Sequence, residues 1–460
     1  MGGALLQISA VLFASFGFVA GGGFFSSLTS LRGELEGMSP AFIGLTGSGY
    51  YGGFFVGCLL GPWLIRRSGH IRGFATAAAV AGLSPLLLIA FVNPASWLVS
   101  RTLCGVAFAV LYLVAESWIN DRAENAFRGR ILSIYVIVAH IANFTGQGLL
   151  LLSPAGDDRM FYLVCAFFIL ALIPVAQTRA INPRPPQIVR VDPRKLWALS
   201  PVALVTSIVN GATNSVLWII MPIVIARSIG PEWVGRLMPC FLLGGLLGQW
   251  PIGRISDFTD RRYMMLFSAA LSVLGVTLLA FGAGRDVWWL VVGFLITGAG
   301  GMSCYALASA HANDRGTPEQ AVEIAGALLL MYGLGAAFGP TVAAAGIEVF
   351  GLSSAFWYLG LCYVLWFLFT GWRILRRESA EGGEPAVFLG VQHGPALGSP
   401  DLRIVIEPPP PAKAPRPRLM VKAAAVLKTT TKTKTKTKTA TPSSSSTETE
   451  TATPPPSEKN

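Results

Sequence analysis

The feature that most limits what this chain can fold into is a recurrence. About twelve apolar runs, each near the length needed to cross a bilayer, are separated by short charged or Pro/Gly-rich breaks. A hydrocarbon core of roughly 30 Å takes about 20 residues of α-helix. The runs fall at about 5–29, 40–63, 71–92, 97–118, 131–152, 159–178, 199–226, 233–253, 263–283, 287–310, 321–346 and 353–373. A closed β-barrel is the other spanning solution, and it needs short alternating segments that are missing here. The reading is therefore an all-α integral membrane protein with twelve transmembrane helices. Composition agrees, since 53% hydrophobic against 13% charged residues is too apolar for a soluble chain. Six cysteines stand singly within the runs, which marks them as packing residues and not as a disulfide or metal framework. The N-terminus lacks a basic region and runs straight into a full-length span, so it does not read as a cleavable signal.

Charge falls unevenly on the connections. The breaks after the even-numbered runs hold Arg66, Arg67 and Arg72; Arg122, Arg128 and Arg130; Arg179, Arg184, Arg190, Arg194 and Lys195; Arg254, Arg261 and Arg262; Arg315; and Arg373, Arg376 and Arg377. The opposite breaks offer Arg32, Arg159, Arg227, Arg236 and Arg285. By the positive-inside rule the first set is cytoplasmic, and both termini with it. From about residue 378 the chain turns Pro-, Thr-, Ser- and Lys-rich, as in KTTTKTKTKTKTATPSSSSTETE, and is expected to be a disordered cytoplasmic tail.

The chain also repeats itself. Gly105, Tyr112, Ala115, Asn120, Asp121 and Arg122 recur as Gly298, Tyr305, Ala308, Asn313, Asp314 and Arg315, at a constant offset of 193 residues (105 to 298, 122 to 315). Gly52, Gly53 and Gly61 recur as Gly244, Gly245 and Gly253, at 192. This divides the chain into two pseudo-symmetric six-helix bundles, residues 1–178 and 199–377, joined by a cytoplasmic linker at 179–198 and followed by the tail at 378–460. An even number of spans per half makes the repeats parallel. Two such bundles around a central cavity can rock between alternative packings, so alternating access is the expected mechanism.

The segment GRISDFTDRR, Gly253 to Arg262, is similar to the loop signature G-x-x-x-D-R-x-G-R-R of the major facilitator superfamily (MFS). It keeps Gly253, Asp257, Arg261 and Arg262, with Phe258 and Asp260 where the pattern has Arg and Gly. The first-half copy, GPWLIRRSGHIR, keeps Gly61 and Arg66 and puts Ile65 at the acidic position. RTLCGVAFAV resembles the superfamily's fourth-span pattern through Arg101 and Gly105, and ESWIN with the following RGR resembles the YcaD-like group. The resemblance covers about residues 5–375. It implies the MFS fold, a transporter in the plasma membrane, here the bacterial inner membrane, and a cavity lined by spans one, four, seven and ten.

Six charged side chains crowd into ESWINDRAENAFRGR: Glu116, Asp121, Arg122, Glu124, Arg128 and Arg130. Glu116, Asp121, Arg122, Arg128 and Arg130, mirrored by Gly253, Asp257, Arg261, Arg262, Asp314 and Arg315, are the candidate cytoplasmic gate; the alternative is a solvated loop. Charge in mid-bilayer costs at least about 2.5–3.5 kcal/mol, so ionisable groups there carry functional weight. Arg101 shares a helical stripe with Gly105, Tyr112 and Glu116. It is a candidate for anion binding or proton coupling, against snorkelling to the headgroups. His140, in line with Asn143 and Gln147, titrates near neutral pH without a large shift and is the other proton-coupling candidate, against a neutral hydrogen-bonded histidine. Asn210 and Asn214 on span seven lead the substrate contacts, with Tyr112, Tyr305, Asn143 and Gln147 as further lining; interhelical hydrogen bonding is the plainer role for the amides.

No P-loop, nucleophile motif or metal-ligand spacing accompanies the helices, so neither ATP hydrolysis nor catalysis is expected. The expected partners are a small solute, the bilayer and protons, with no cofactor and no nucleic acid. Transport is the first function, with export favoured. The rival is a transporter-like sensor or scaffold that signals through the tail without moving solute.

Overall fold

The computed structural model describes residues 2–122, 128–152, 154–178, 192–283, 285–317 and 320–376. Its α-helices are α1 (Gly2–Leu35), α2 (Pro40–Ser68), α3 (His70–Ala90), α4 (Pro94–Arg122), α5 (Arg128–Gly148), α6 (Arg159–Ala176), α7 (Pro193–Leu199), α8 (Pro201–Ile219), α9 (Met221–Ile229), α10 (Val234–Ser256), α11 (Arg261–Gly282), α12 (Val287–Gly301), α13 (Cys304–Asn313), α14 (Ala321–Phe350) and α15 (Ser354–Arg376). Among the described residues, eleven crossings are long and apolar enough to span a membrane, counting α12 and α13 as one. The twelfth expected span is α10, whose 23 residues fall short in hydropathy because they include Arg236, Gln249 and Arg254.

Two spans expected as single helices are broken. The seventh divides at Ile220, just before Pro222, which has no N–H to bond the carbonyl four residues back. The tenth divides at Met302–Ser303, after Gly300 and Gly301. Residues 193–198, expected within the linker, together with Leu199 form the short helix α7. Ends are set by side chains: Ser39, Asp192, Ser200, Asp260 and Asp286 each accept a hydrogen bond from a backbone N–H of the first turn of the helix that follows.

The repeated glycines mark where helices touch. A methyl group on Gly105 of α4 would meet the Tyr50 carbonyl oxygen of α2 at 1.9 Å, and one on Gly298 of α12 would meet the Phe241 carbonyl of α10 at 2.0 Å. From the other side, Gly53 faces Thr102 and Gly244 faces Leu295. Backbones this close admit no side chain. The contacts pair Gly53 with Gly244, an offset of 191, one residue less than the sequence shift suggested.

The two halves pack against each other along α2 and α14 and along α5 and α10. The outward surface is apolar, with Trp250, Trp288, Trp357, Phe13, Leu59 and Phe338 among its most exposed side chains. A continuous face of this kind is suited to lipid.

Candidate functional site

The sequence candidates fall into three places. At the middle of the bundle, tyrosines from both halves converge. Tyr112 of α4 is buried edge-on against Phe18, with ring centroids 4.9 Å apart. Tyr305 of α13 and Tyr332 of α14 pack edge-on at 5.9 Å. Tyr332 lies within electrostatic reach of Tyr51 and Tyr112, and Tyr305 within reach of Glu116, which is itself buried, at 3% exposed, on α4. Asn214 of α8 donates to the Tyr332 hydroxyl at 2.7 Å and accepts from Trp218 Nε1 at 3.1 Å. Asn210, one turn away and buried, has a side-chain nitrogen with no hydrogen-bond partner. Tyr305 likewise has a buried hydroxyl without one. Buried polar atoms of this kind cost free energy unless something else satisfies them.

The second place lies between α1, α2, α4 and α5. Arg101 is 2% exposed and sits between the rings of Phe25 and Tyr50, its guanidinium carbon 5.0 and 4.7 Å from their centroids. Its Nε has no hydrogen-bond partner. The snorkelling alternative does not describe this residue, because a buried guanidinium does not reach headgroups. His140 is buried and bonded through Nδ1 to the Val136 carbonyl at 2.9 Å. That bond puts the proton on Nδ1 and leaves Nε2, which has no partner, as a bare acceptor. Asn143 donates to the Ala139 carbonyl at 3.2 Å. Gln147 donates to the Gly23 carbonyl at 2.7 Å and accepts from Ser27 at 2.9 Å, so it fastens α5 to α1.

The third place is the arginine-rich end. Arg261 donates through Nε to Asp314 at 2.5 Å, and through Nη1 to Ser256 at 3.1 Å and Asp257 at 3.3 Å, which ties α10, α11 and the end of α13 together. Arg262 pairs with Asp260 at 2.7 Å, and Arg315 donates to the His311 ring at 2.6–2.7 Å. Asp260, the departure from the loop signature, thus caps α11 and neutralises Arg262. Burial pushes its carboxyl up, but the Arg262 hydrogen bonds outweigh this and hold it below the usual carboxylate range. In the first half, where Ile65 is buried at the acidic position, His70 bonds to Ser117 at 3.0 Å and lies near Asp121. The side chains of Arg122, Arg128 and Arg130 lie outside the described residues, as does the tail.

Contacts between the halves at the opposite end were not legible in the sequence. Arg227 of α9 binds both carboxylate oxygens of Glu34 on α1, at 2.7 and 2.8 Å. Glu348 of α14 accepts from the Ala41 N–H in the first turn of α2 at 3.0 Å, and Ser48 and Thr341 hydroxyls lie 2.7 Å apart. Their sequence separations run from 193 to 307 residues, and no pattern in the charges announces the pairing.

Comparison with known proteins follows the same lines. The sequence profile of the Major Facilitator Superfamily matches residues 8–203 and again 203–409. The uncharacterized MFS-type transporter YcaD of Escherichia coli, in strains including HS and K12, is 30% identical over 320 residues, which cover 67% of this chain and 80% of that protein. Among solved structures, the nucleoside transporter NupG superposes with a TM-score of 0.67 at 14% identity, covering 79% of this chain and 98% of that one. The E. coli xylose transporter XylE, in a partially occluded inward open conformation, gives 0.63 at 13%, covering 81% and 100%. Eleven membrane-length crossings among the described residues, a duplicated glycine crossing and two profile matches lead to one conclusion: the chain belongs to the Major Facilitator Superfamily, a family of transporters and not of enzymes, and is a multi-pass membrane protein that transports a small solute.

Proposed function

We propose that this chain carries its solute by alternating access between two six-helix bundles, residues 1–178 and 199–377, joined by the segment 179–198. Both termini face the cytoplasm and the arginine-rich end lies at the inner face of a bacterial plasma membrane. The observation that supports this most is the set of contacts from one half to the other at the arginine-poor end: Glu34 with Arg227, Ala41 with Glu348 and Ser48 with Thr341. They close the outer end above the converging Tyr112, Tyr305 and Tyr332, as an inward-facing carrier requires.

The solute contacts are Asn210, Asn214, Tyr112 and Tyr305, with Asn143 as further lining and Gln147 bracing α5 against α1. Asn210 and Tyr305 carry this assignment because each buries a polar atom without a partner. Proton coupling runs through His140 and Arg101: a protonated Nε2 on His140 would gain a donor inside the bundle, and Arg101 is a buried cation of the same half. The cytoplasmic gate comprises Glu116, Asp121, Arg122, Arg128 and Arg130 with Gly253, Asp257, Arg261, Arg262, Asp314 and Arg315. Export is favoured by the aromatic surroundings of the centre. The rival function, a sensor acting through residues 378–460, predicts no solute flux and a phenotype lost with that tail.

The test is thermal unfolding of the purified chain against nucleosides, pentoses, amino acids, organic anions and lipophilic cations, repeated with Asn210→Ala. A ligand at a hundredfold excess over its Kd stabilises by about 2.7 kcal/mol. A shift for one class, lost in the variant, supports the site. Shifts that survive Asn210→Ala reject it, and the absence of any shift, together with absent flux in proteoliposomes, favours the sensor.

A further inference from the structure

A narrow cleft opens at the arginine-rich end of the second half, apart from the tyrosine cluster. It is lined by Arg262, His311, Arg315 and Arg373, together with Leu199, Ser200, Pro201 and Val202 at the start of α8. Five helices contribute: the first turn of α11, the end of α13 with the residues that follow it, the last turn of α15, the end of α7 and the first turn of α8. Among the described residues, three arginines and no aspartate or glutamate line the opening. The carboxylate behind it, Asp260, is engaged with Arg262 and offsets one of the three charges. Arg315 Nη1 lies against the His311 ring, 2.7 and 2.6 Å from its two nitrogens. The nineteen-residue helix α8 presents the positive end of its dipole to the same opening.

The surroundings of the cleft indicate its depth in the membrane. Next to Arg373, Trp372 is half exposed and Leu375 is 88% exposed. Both Arg373 and Arg376 lie over the Trp372 ring, at 5.8 and 5.2 Å. On the other flank, α7 buries Leu196 and turns Trp197 outward. Tryptophan and arginine together beside bare leucine are the residues of a headgroup layer.

We propose that this cleft binds a phosphoryl oxyanion, supplied first by the headgroup of an anionic phospholipid in the adjoining leaflet. Guanidinium forks match the spacing of phosphate oxygens, and basic pockets between helices at a membrane face are suited to such headgroups. A bound headgroup would clamp the starts of α8 and α11 to the ends of α13 and α15. It would thereby stiffen the base of the second half.

The experiment uses the full chain, delipidated in neutral detergent, with thermal unfolding followed while phosphatidylglycerol, phosphatidylcholine or inorganic phosphate is added. Phosphatidylglycerol is expected to raise the unfolding midpoint well above phosphatidylcholine. Arg373→Gln weakens the apparent phosphatidylglycerol affinity about tenfold, as loss of one charge-assisted pair does. Arg373→Lys, which keeps the charge and lacks the fork, falls between, and Arg376→Gln, which removes an equal charge one turn outside the cleft, changes the affinity less than twofold. Equal losses for Arg373→Gln and Arg376→Gln overturn the proposal in favour of diffuse surface charge, as does retention of full affinity by Arg373→Gln. A response to inorganic phosphate alone, lost in Arg373→Gln, keeps the oxyanion site and overturns the lipid as its source.

Discussion

The two halves of the chain share a backbone crossing and differ in how they hold charge beside it. Around Gly53 and Gly105 in the first half, and Gly244 and Gly298 in the second, helices meet so closely that a methyl group on any of the four would run into a facing backbone carbonyl. At the arginine-rich end the second half builds an ion network, Arg261 with Asp257 and Asp314, and among the described side chains the first half joins His70 to Ser117. In the membrane interior the bias is reversed: the first half carries Arg101, Glu116 and His140, whereas the second half meets the same region with Asn210, Asn214 and tyrosines. Duplication thus preserved steric fit, which tolerates no change, while the charges were free to diverge.

The largest effects should be shared by both halves. Gly105→Ala and Gly298→Ala each place a methyl group against a carbonyl oxygen of the partner helix. Overpacking a core costs typically about 1–3 kcal/mol, and backbone against backbone leaves no flexible side chain to yield. Both variants should lose monodisperse folded protein, to similar degrees, as seen by size exclusion and unfolding midpoint. A strong loss in one and none in the other would show that the crossings are not equivalent.

The next effect should separate the halves. Asp314→Asn leaves buried Arg261 with a weakened network, and breaking a buried pair costs about 3–5 kcal/mol when the remaining charge has no other carboxylate. Asp257 lessens that, so about 2 kcal/mol is expected. Ser117→Ala, which removes a neutral hydrogen bond to His70, should cost about 1 kcal/mol. Equal losses would mean that the two ends are held in the same way after all.

Acid should act on the second half first. Asp260 has its folded pKa depressed below 3.8, so its contribution is present above that value and is lost as pH falls through the lower folded pKa. The wild type should therefore lose stability below about pH 4 more steeply than Asp260→Asn, measured by unfolding midpoint from pH 7 to pH 3. Parallel curves would remove Asp260 from the account.

What could be read beforehand follows from the physics of each signal. Spans are legible because lipid imposes one length and one polarity on every crossing helix. The repeat was legible because Gly105 and Gly298 occupy a site that only glycine fits. Asn210, Arg101 and Glu116 were found because polar atoms within apolar runs stand out. Their surroundings were not, since nothing local to Arg101 says that Phe25 and Tyr50 will enclose it. Asp260 read as a defect in a signature, although an aspartate one residue ahead of a helix is a capping signal that could have been recognised. His70, His311, Glu34, Arg227 and Glu348 escaped notice because their roles depend on partners that only the packing of distant helices brings near.

The smallest effect on stability bears most directly on transport. Glu34 and Arg227 are partly exposed, so their pair contributes about 0–1 kcal/mol. Unlike the Arg261 network, it joins one half to the other at the end where they separate if the bundles rock. A change of about 0.7 kcal/mol shifts a two-state equilibrium roughly threefold while leaving an unfolding curve almost unmoved. Glu34→Gln should therefore change the midpoint little and speed labelling of Ser48→Cys, beneath the pair and bonded to Thr341, by about threefold with a membrane-impermeant maleimide added outside. The six native cysteines provide the background control when Ser48 is left intact. If labelling does not change, that end is held by α2 and α14 packing alone, and the ion pair is surface decoration.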